Sequence, residues 1–171
     1  MKRLLVIAAV LVLTLIAGQV WADIIATRTN TNPLFVGGGT QSCAPATFIP
    51  LNNSGSTRMP FVTTRDNQRV VVTFNAECSV KAPDFSTWLN IDILVDGIEA
   101  PPTQTIDNAF CTSHGNNTLD GWVSASTTGV FIVPEPGLHS IQVRGSLIGC
   151  SDTSDDQWRI DDSSTIIQSN F

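Results

Sequence analysis

The chain contains no tyrosine, only 2 histidines and 2 methionines, and charged residues fill just 14% of its 171 positions. Basic residues are the scarcer sign, with 9 Lys and Arg against 15 Asp and Glu, for a formal net charge of −6. Nucleic acid is thereby excluded as a partner, because phosphate contacts need a basic surface. The 4 cysteines, Cys43, Cys78, Cys111 and Cys150, include no close pair, so the spacing of a zinc site is missing. There is no Gly-x-Ser-x-Gly elbow and no His-Glu-x-x-His, which removes two sequence signatures of hydrolytic catalysis. No segment sustains a helical period either, and this excludes an architecture built on amphipathic helices.

What the chain does have is alternation. Between Arg69 and Gly97, the residues Val70, Val72, Phe74, Ala76, Cys78 and Val80 are interleaved with Thr73, Asn75, Glu77 and Ser79. That is the pattern of a half-buried strand. It returns as Leu89, Ile91, Ile93 and Val95, and stops at the turn pair Asp96-Gly97. The two stretches are expected to form the central hairpin or strand pair.

The amino terminus reads differently. Met1-Lys2-Arg3 is basic, Leu4 to Ile16 is almost wholly apolar, and Val20-Trp21-Ala22 puts small residues at a cleavage position. Residues 1–22 are therefore expected to be a secretory signal peptide. A membrane anchor is the rival reading, and Gly18-Gln19 before the small-residue site favours cleavage, leaving no membrane span in the mature chain. Cleavage removes two bases and no acid, so the mature protein, secreted or periplasmic, is more acidic still. Its size suits one domain with a single core.

Segment 23–56 is rich in Thr, Asn, Gly, Pro and Ser and reads as loop with one or two short strands. Gly37-Gly38-Gly39 within it lacks the Lys-Ser or Lys-Thr pair of a phosphate loop, so a turn is expected. The β domain proper is expected over 57–171. Met59 to Thr63 and Trp122 to Ala125 read as strands, and Val130 to Val133 as a short strand buried on both faces. Leu138 to Arg144, Trp158 to Ile160 and Thr165 to Gln168 complete the series, with Pro, Gly, Asn or Asp turns between them. The class is all-β: a single antiparallel β-sandwich, jelly-roll-like, of about eight strands. An even cysteine count in an exported chain implies two disulfides, and the pairing favoured is Cys78 with Cys111 and Cys43 with Cys150.

The run Val130 to Val133, Pro136-Gly137 and Leu138 to Arg144, continued through the final strand, resembles the strand, turn and strand near the end of jelly-roll domains of the complement-head and tumour-necrosis-factor-like type. Similar strings occur in exported bacterial β-sandwich proteins. The resemblance implies a recognition module without catalytic activity, and no ligand residue is carried over from it.

Candidate chemistry is sparse. Ser113 and His114 are sequence neighbours, which on a strand point apart, and His139 alternates with core residues as a hydrogen-bonded histidine would. Asp152, Asp155, Asp156, Asp161 and Asp162 crowd the carboxyl-terminal region in a way that suits calcium, but no calcium-loop motif is matched, so no cofactor is expected. Among Trp88, Trp122 and Trp158, Trp88 falls on the polar side of its strand and is the best candidate platform for a sugar ring, although packing in the core or at its rim is the expected role of a tryptophan. The expected ligand face comprises Glu77, Trp88, Asn90, Asp92 and Asp96. The function expected is a non-enzymatic binding module for a carbohydrate or protein at a cell surface. The alternatives are a glycoside hydrolase-like enzyme using Asp92, Asp96 or Glu77, and a structural envelope protein.

Overall fold

The computed structural model describes residues 22–37, 45–83, 85–102, 109–115, 119, 121–150 and 156–170. The signal-peptide expectation and the cysteine at position 43 fall outside this set. Among the described residues, no helix is long and apolar enough to cross a membrane.

The described chain is all-β, with eleven strands. They are β1 (Ala22–Asn30), β2 (Leu34–Gly37), β3 (Thr47–Phe48), β4 (Met59–Thr63), β5 (Gln68–Lys81), β6 (Trp88–Val95), β7 (Ile98–Glu99), β8 (Ala109–Thr112), β9 (Val123–Val133), β10 (Gly137–Ile148) and β11 (Gln157–Asn170). The first sheet runs β1-β11-β5-β9, with β2 also on β11. The second runs β3-β10-β6-β7, with β4 also on β10 and β8 on β6. The pairings are antiparallel. Eleven strands replace the expected eight: Val123 to Ala125 and Val130 to Val133 lie in the single strand β9, and Trp158 to Ile160 and Thr165 to Gln168 in the single strand β11, while β2, β3, β7 and β8, only 4, 2, 2 and 4 residues long, are too short for alternation to register. β1 escapes the pattern for another reason: its register shifts between Ile24 and Ala26, and Ile24 points to solvent.

β5 and β6 are not a hairpin. β5 lies in the first sheet between β11 and β9, whereas β6 lies in the second, between β10 and the short strands β7 and β8. Alternation reports which side chains face the core and is silent on which strands exchange hydrogen bonds. The inward row of β5, Val70, Val72, Phe74, Ala76, Cys78 and Val80, is buried, as is that of β6, Leu89, Ile91, Ile93 and Val95. Across the interior Cys78 of β5 is bonded to Cys111 of β8, a disulfide that joins the two sheets with 33 residues of sequence separation. This is one disulfide among the described residues rather than two; the second expected bond falls on Cys43. No described cysteine carries a free thiol.

Asp96 and Gly97 form the two-residue turn between β6 and β7, both with positive φ, 49° and 84°. That is the geometry that matches the twist of a tight hairpin. The Val130 to Val133 run is not buried on both faces. β9 is the edge of its sheet, so Val133 enters the core while Ile132, on the outer side, is 60% exposed.

Trp158 of β11 is fully buried, and its indole lies over Gly145 of β10 in the opposite sheet. A Cβ at position 145 would stand 2.8 Å from the Trp158 ring, so only glycine leaves room for the indole. Gly145→Val should therefore lower stability by about 1–3 kcal/mol through overpacking, read as a drop in the urea midpoint. Replacing Cys78 and Cys111 together by alanine should lower stability by about 3–4 kcal/mol, the loop-closure entropy returned to the unfolded chain. An unchanged midpoint in either variant would contradict these packing assignments.

Candidate functional site

Charges on the outer face of the second sheet are bonded to one another, two carboxylates sharing one guanidinium. Asp92 of β6 sits opposite Arg144 of β10, and Asp92 Oδ2 accepts from Arg144 Nε at 3.0 Å and Nη2 at 2.7 Å. Asn90 Nδ2 donates to Asp92 Oδ1 at 2.8 Å, and Glu99 of β7 takes a further contact from Arg144. The hydrogen bond to Asp92, more than its charge, holds the Arg144 guanidinium above its ordinary pKa, with Glu99 adding to it and burial opposing it. A raised folded-state pKa contributes stability that is lost only as pH climbs through it, which for arginine lies in the strongly alkaline range. The cluster is thus insensitive to pH through Arg144 in any working buffer. Asn90 and Asp92 are buried, Trp88 is half-buried and Asp96 is exposed.

Asp96 is committed as well. From the turn it accepts the Ser140 backbone N–H at 2.8 Å and lies 2.7 Å from His139 Nδ1. His139 Nε2 is 3.2 Å from the Glu135 carbonyl, and the ring packs on Phe61 with centroids 5.5 Å apart. This histidine pins the turn to β10. Ser113 donates to the Ala82 carbonyl at 3.1 Å and is buried, while His114 is exposed, so the two do not combine.

Glu77 belongs to a different surface. It projects from the outer face of the first sheet, so the structure separates it from Trp88, Asn90, Asp92 and Asp96. Across the strands Glu77 is aligned with Asp161 of β11 and Ser124 of β9, and Asn75 with Ser164 and Ser126. Between Asp161 and Ser164 the register shifts, and Asp162 takes a positive φ of 40°. Such a bulge re-aims the extra side chain. The result is an open depression of about 400 Å³ lined by Asn75, Ala76, Glu77, Ser124, Ala125, Ser126 and Asp162. Among the described residues Glu77 has neither an ion-pair nor a hydrogen-bond partner, in contrast to Asp92.

An aromatic platform adjoins this depression. Trp122 immediately precedes β9 and is 40% exposed, and the guanidinium carbon of Arg159 lies 3.8 Å from its ring centroid. Arg159 also donates to the Leu119 carbonyl, which fixes the stack. Phe35 of β2, directly across from Arg159, is 60% exposed. Arg159 is two residues from Asp161 on the same face, so the platform begins roughly 7 Å from the row that carries Glu77. Sequence reasoning ranked Trp88 above Trp122, since the pairing that brings Trp122 beside Arg159 is invisible in one strand. Trp158, the third candidate, is spent in the core.

The carboxyl-terminal acids do not converge. Asp156 is buried, with no hydrogen-bond partner for either carboxylate oxygen, whereas Asp161 and Asp162 lie at the bulge, and Asp152 and Asp155 are outside the described residues. Among the described residues no group of three or more His, Cys, Asp or Glu is placed to hold a metal ion. Glu77 and Asp92 issue from opposite outer faces of a sandwich whose sheets pack about 10 Å apart, beyond the roughly 5–9.5 Å that glycoside hydrolysis requires of its two carboxylates.

No family model matches the chain, and no curated protein matches it in sequence. Among solved structures, a lipoprotein from Bacteroides thetaiotaomicron shares 8% identity over 90% of this chain and 93% of its own, with a TM-score of 0.37. A structure of the infectious bursal disease virus Gt strain shares 14% identity over 88% of this chain and 33% of its own, with a TM-score of 0.48. A family 35 carbohydrate-binding module from Clostridium thermocellum shares 12% identity over 82% of this chain and 97% of its own, with a TM-score of 0.31. This chain spans about a third of the viral one. With TM-scores this low, what those proteins bind does not carry over to this chain.

Arg144 offers the check on the charge assignments. Arg144→Ala leaves Asp92 buried without its cation and should lower stability by about 2 kcal/mol, less than for a fully buried pair because Arg144 itself is 29% exposed. Glu77→Gln, on the other face, should leave the urea midpoint where it is.

Proposed function

We propose that this protein is an exported, non-enzymatic binding module, a β-sandwich of jelly-roll type that takes a carbohydrate chain on the outer face of its first sheet. The longer strands β1, β11, β5 and β9 facing β4, β10, β6 and β8 support the jelly-roll reading, with β2, β3 and β7 as additions. Export rests on the amino-terminal pattern and is in keeping with a cross-sheet disulfide, which persists in oxidising compartments.

The observation that carries the proposal is the juxtaposition of a half-open tryptophan with an unpaired carboxylate over one open depression. Sugars present apolar C–H faces and rings of hydroxyls. Trp122, held by Arg159, supplies an apolar surface of that kind, and Glu77, Asn75, Ser124, Ser126 and Asp162 supply acceptors and donors without a competing cation. Pockets that orient a ligand combine an apolar wall with a few placed polar groups in this way. The second sheet has no such reserve, because Asp92 and Asp96 are already bonded within the protein. A protein ligand at the same face is the alternative occupant.

The test is affinity electrophoresis of the mature protein through gels containing plant, fungal or bacterial polysaccharides, followed by calorimetry with the best retarding one. Trp122→Ala should weaken binding at least tenfold, and Glu77→Gln should weaken it with the urea midpoint unchanged. Retardation by none of the polysaccharides, or binding that survives Trp122→Ala, would overturn the proposal.

A further inference from the structure

Among the described residues, the edges of the two sheets are closed to further pairing, with one exception. In the second sheet the outermost strands are short: β3 and β7 have 2 residues, β8 has 4 with a register shift beside it, and β4 has 5 including Pro60. In the first sheet, β1 carries a bulge and the charged residues Asp23 and Arg28, and β2 has 4 residues. Short strands, bulges, charges and proline are the devices that stop an edge from recruiting another strand. β9 has none of them. It is 11 residues long, contains no proline and no charge, and pairs with β5 in an unbroken register from Val123 to Val133.

The open part of this edge can be located. The Val130 N–H points away from β5 and donates to the Pro101 carbonyl at 2.6 Å, so the 100–102 segment closes the edge there. By strand alternation the backbone groups of Thr128, Ser126 and Ser124 point the same way. No backbone bond closes them among the described residues, and all three residues are exposed.

We propose that this edge pairs with the same edge of a second copy of the chain, antiparallel, about a twofold axis at Ser126. In that register Ser124 faces the partner's Thr128, Ser126 faces the partner's Ser126, and Thr128 faces the partner's Ser124. The three pairs are of the narrow kind that exchanges two bonds each, roughly six backbone bonds in all. A second copy is favoured over a foreign strand because the hydroxyl row is its own complement: Ser and Thr meet Ser and Thr, a stabilising cross-strand pairing. Charge permits it: each molecule is acidic overall, but the strand along which the two meet carries no charge and so adds no local repulsion. Pairing ends where it should, because the next position outward, Val130, is already covered by Pro101. Two first sheets become one continuous sheet. Ser124 and Ser126 also line the depression, so, on the carbohydrate reading, the dimer sets two sites side by side for a repeating polymer.

Sedimentation velocity of the full mature chain between about 1 and 100 μM, the range in which many modest interfaces dissociate, reads the outcome directly. The wild type should populate a dimer, and Ser126→Pro and Ser126→Lys should each weaken it at least tenfold while the far-ultraviolet spectrum is retained. In a second measurement, Ser126→Cys should form a disulfide-linked dimer under mild oxidation, because facing residues of a narrow pair stand about 5.5 Å apart. Thr73→Cys, on the same face but within the sheet, should not. A wild type that stays monomeric, a dimer untouched by the Ser126 variants, or cross-linking that is equal or absent at both positions would overturn the pairing. Loss of sugar binding alone would leave it standing.

Discussion

The covalent tie between Cys78 and Cys111 is the constraint on which the arrangement of faces depends. Cys78 belongs to the inward row of β5, so the bond fixes the side of that strand that faces the second sheet. Once that side is spent on the core, Asn75, Glu77 and their neighbours have only one way to point. Strand geometry does the rest, because a slip of one residue would bring Glu77 and Asn75 into contact with Phe110 and Trp158 and throw Phe74 and Val72 into water. The depression beside Glu77 is thus a consequence of the core as much as of its own residues.

The two outer faces use charge in opposite ways. On the second sheet, Asp92, Arg144, Glu99 and Asn90 form one bonded cluster, and Asp96 with His139 and Ser140 forms another. Each charged group there has its partner within the chain, and the side chains act as struts. On the first sheet, Glu77 has no such partner, Asp162 is raised by a bulge, and the nearest cation, Arg159, is turned toward Trp122 and the Leu119 carbonyl. A protein with 9 basic residues against 15 acidic ones cannot pair every acid, and among the acids without an ion pair Glu77 and Asp162 share the face that carries the exposed Trp122. The proposed ligand face is the one on which charge is left unpaired within the chain.

How much of this was legible in the sequence follows from what a two-residue period encodes. Alternation in 69–97 identified the buried rows of β5 and β6 residue by residue, and the Asp96-Gly97 pair marked its turn. Side-by-side strands and strands stacked face to face produce the same alternation, so the crossing from one sheet to the other between Lys81 and Trp88 was not legible, and the two strands read as a hairpin. The same limit applies to the tryptophans. Trp88 sits on a polar face by sequence, yet that face is covered at Asn90 and Asp92; Trp122 precedes its strand, and only the alignment of β9 with β5 and β11 sets it against Arg159. β1 was missed because an edge strand with a bulge, which packs only Ile25 and Ala26 against the core, needs little apolar content. The Cys78 to Cys111 link was legible from Cys78 falling in the apolar row and Cys111 following Phe110.

The central claim is that ligand recognition belongs to the outer face of the first sheet, around Trp122 and Glu77, and not to the face that carries Asp92. Backbone chemical-shift mapping of the isotope-labelled mature protein, titrated with a soluble oligosaccharide from the polysaccharide it retains, tests this most directly. Shifts should concentrate at residues 75–77, 122–126 and 159–162, leaving 88–96 and 140–146 unmoved. Shifts centred instead on Trp88, Asp92 and Arg144 would contradict it.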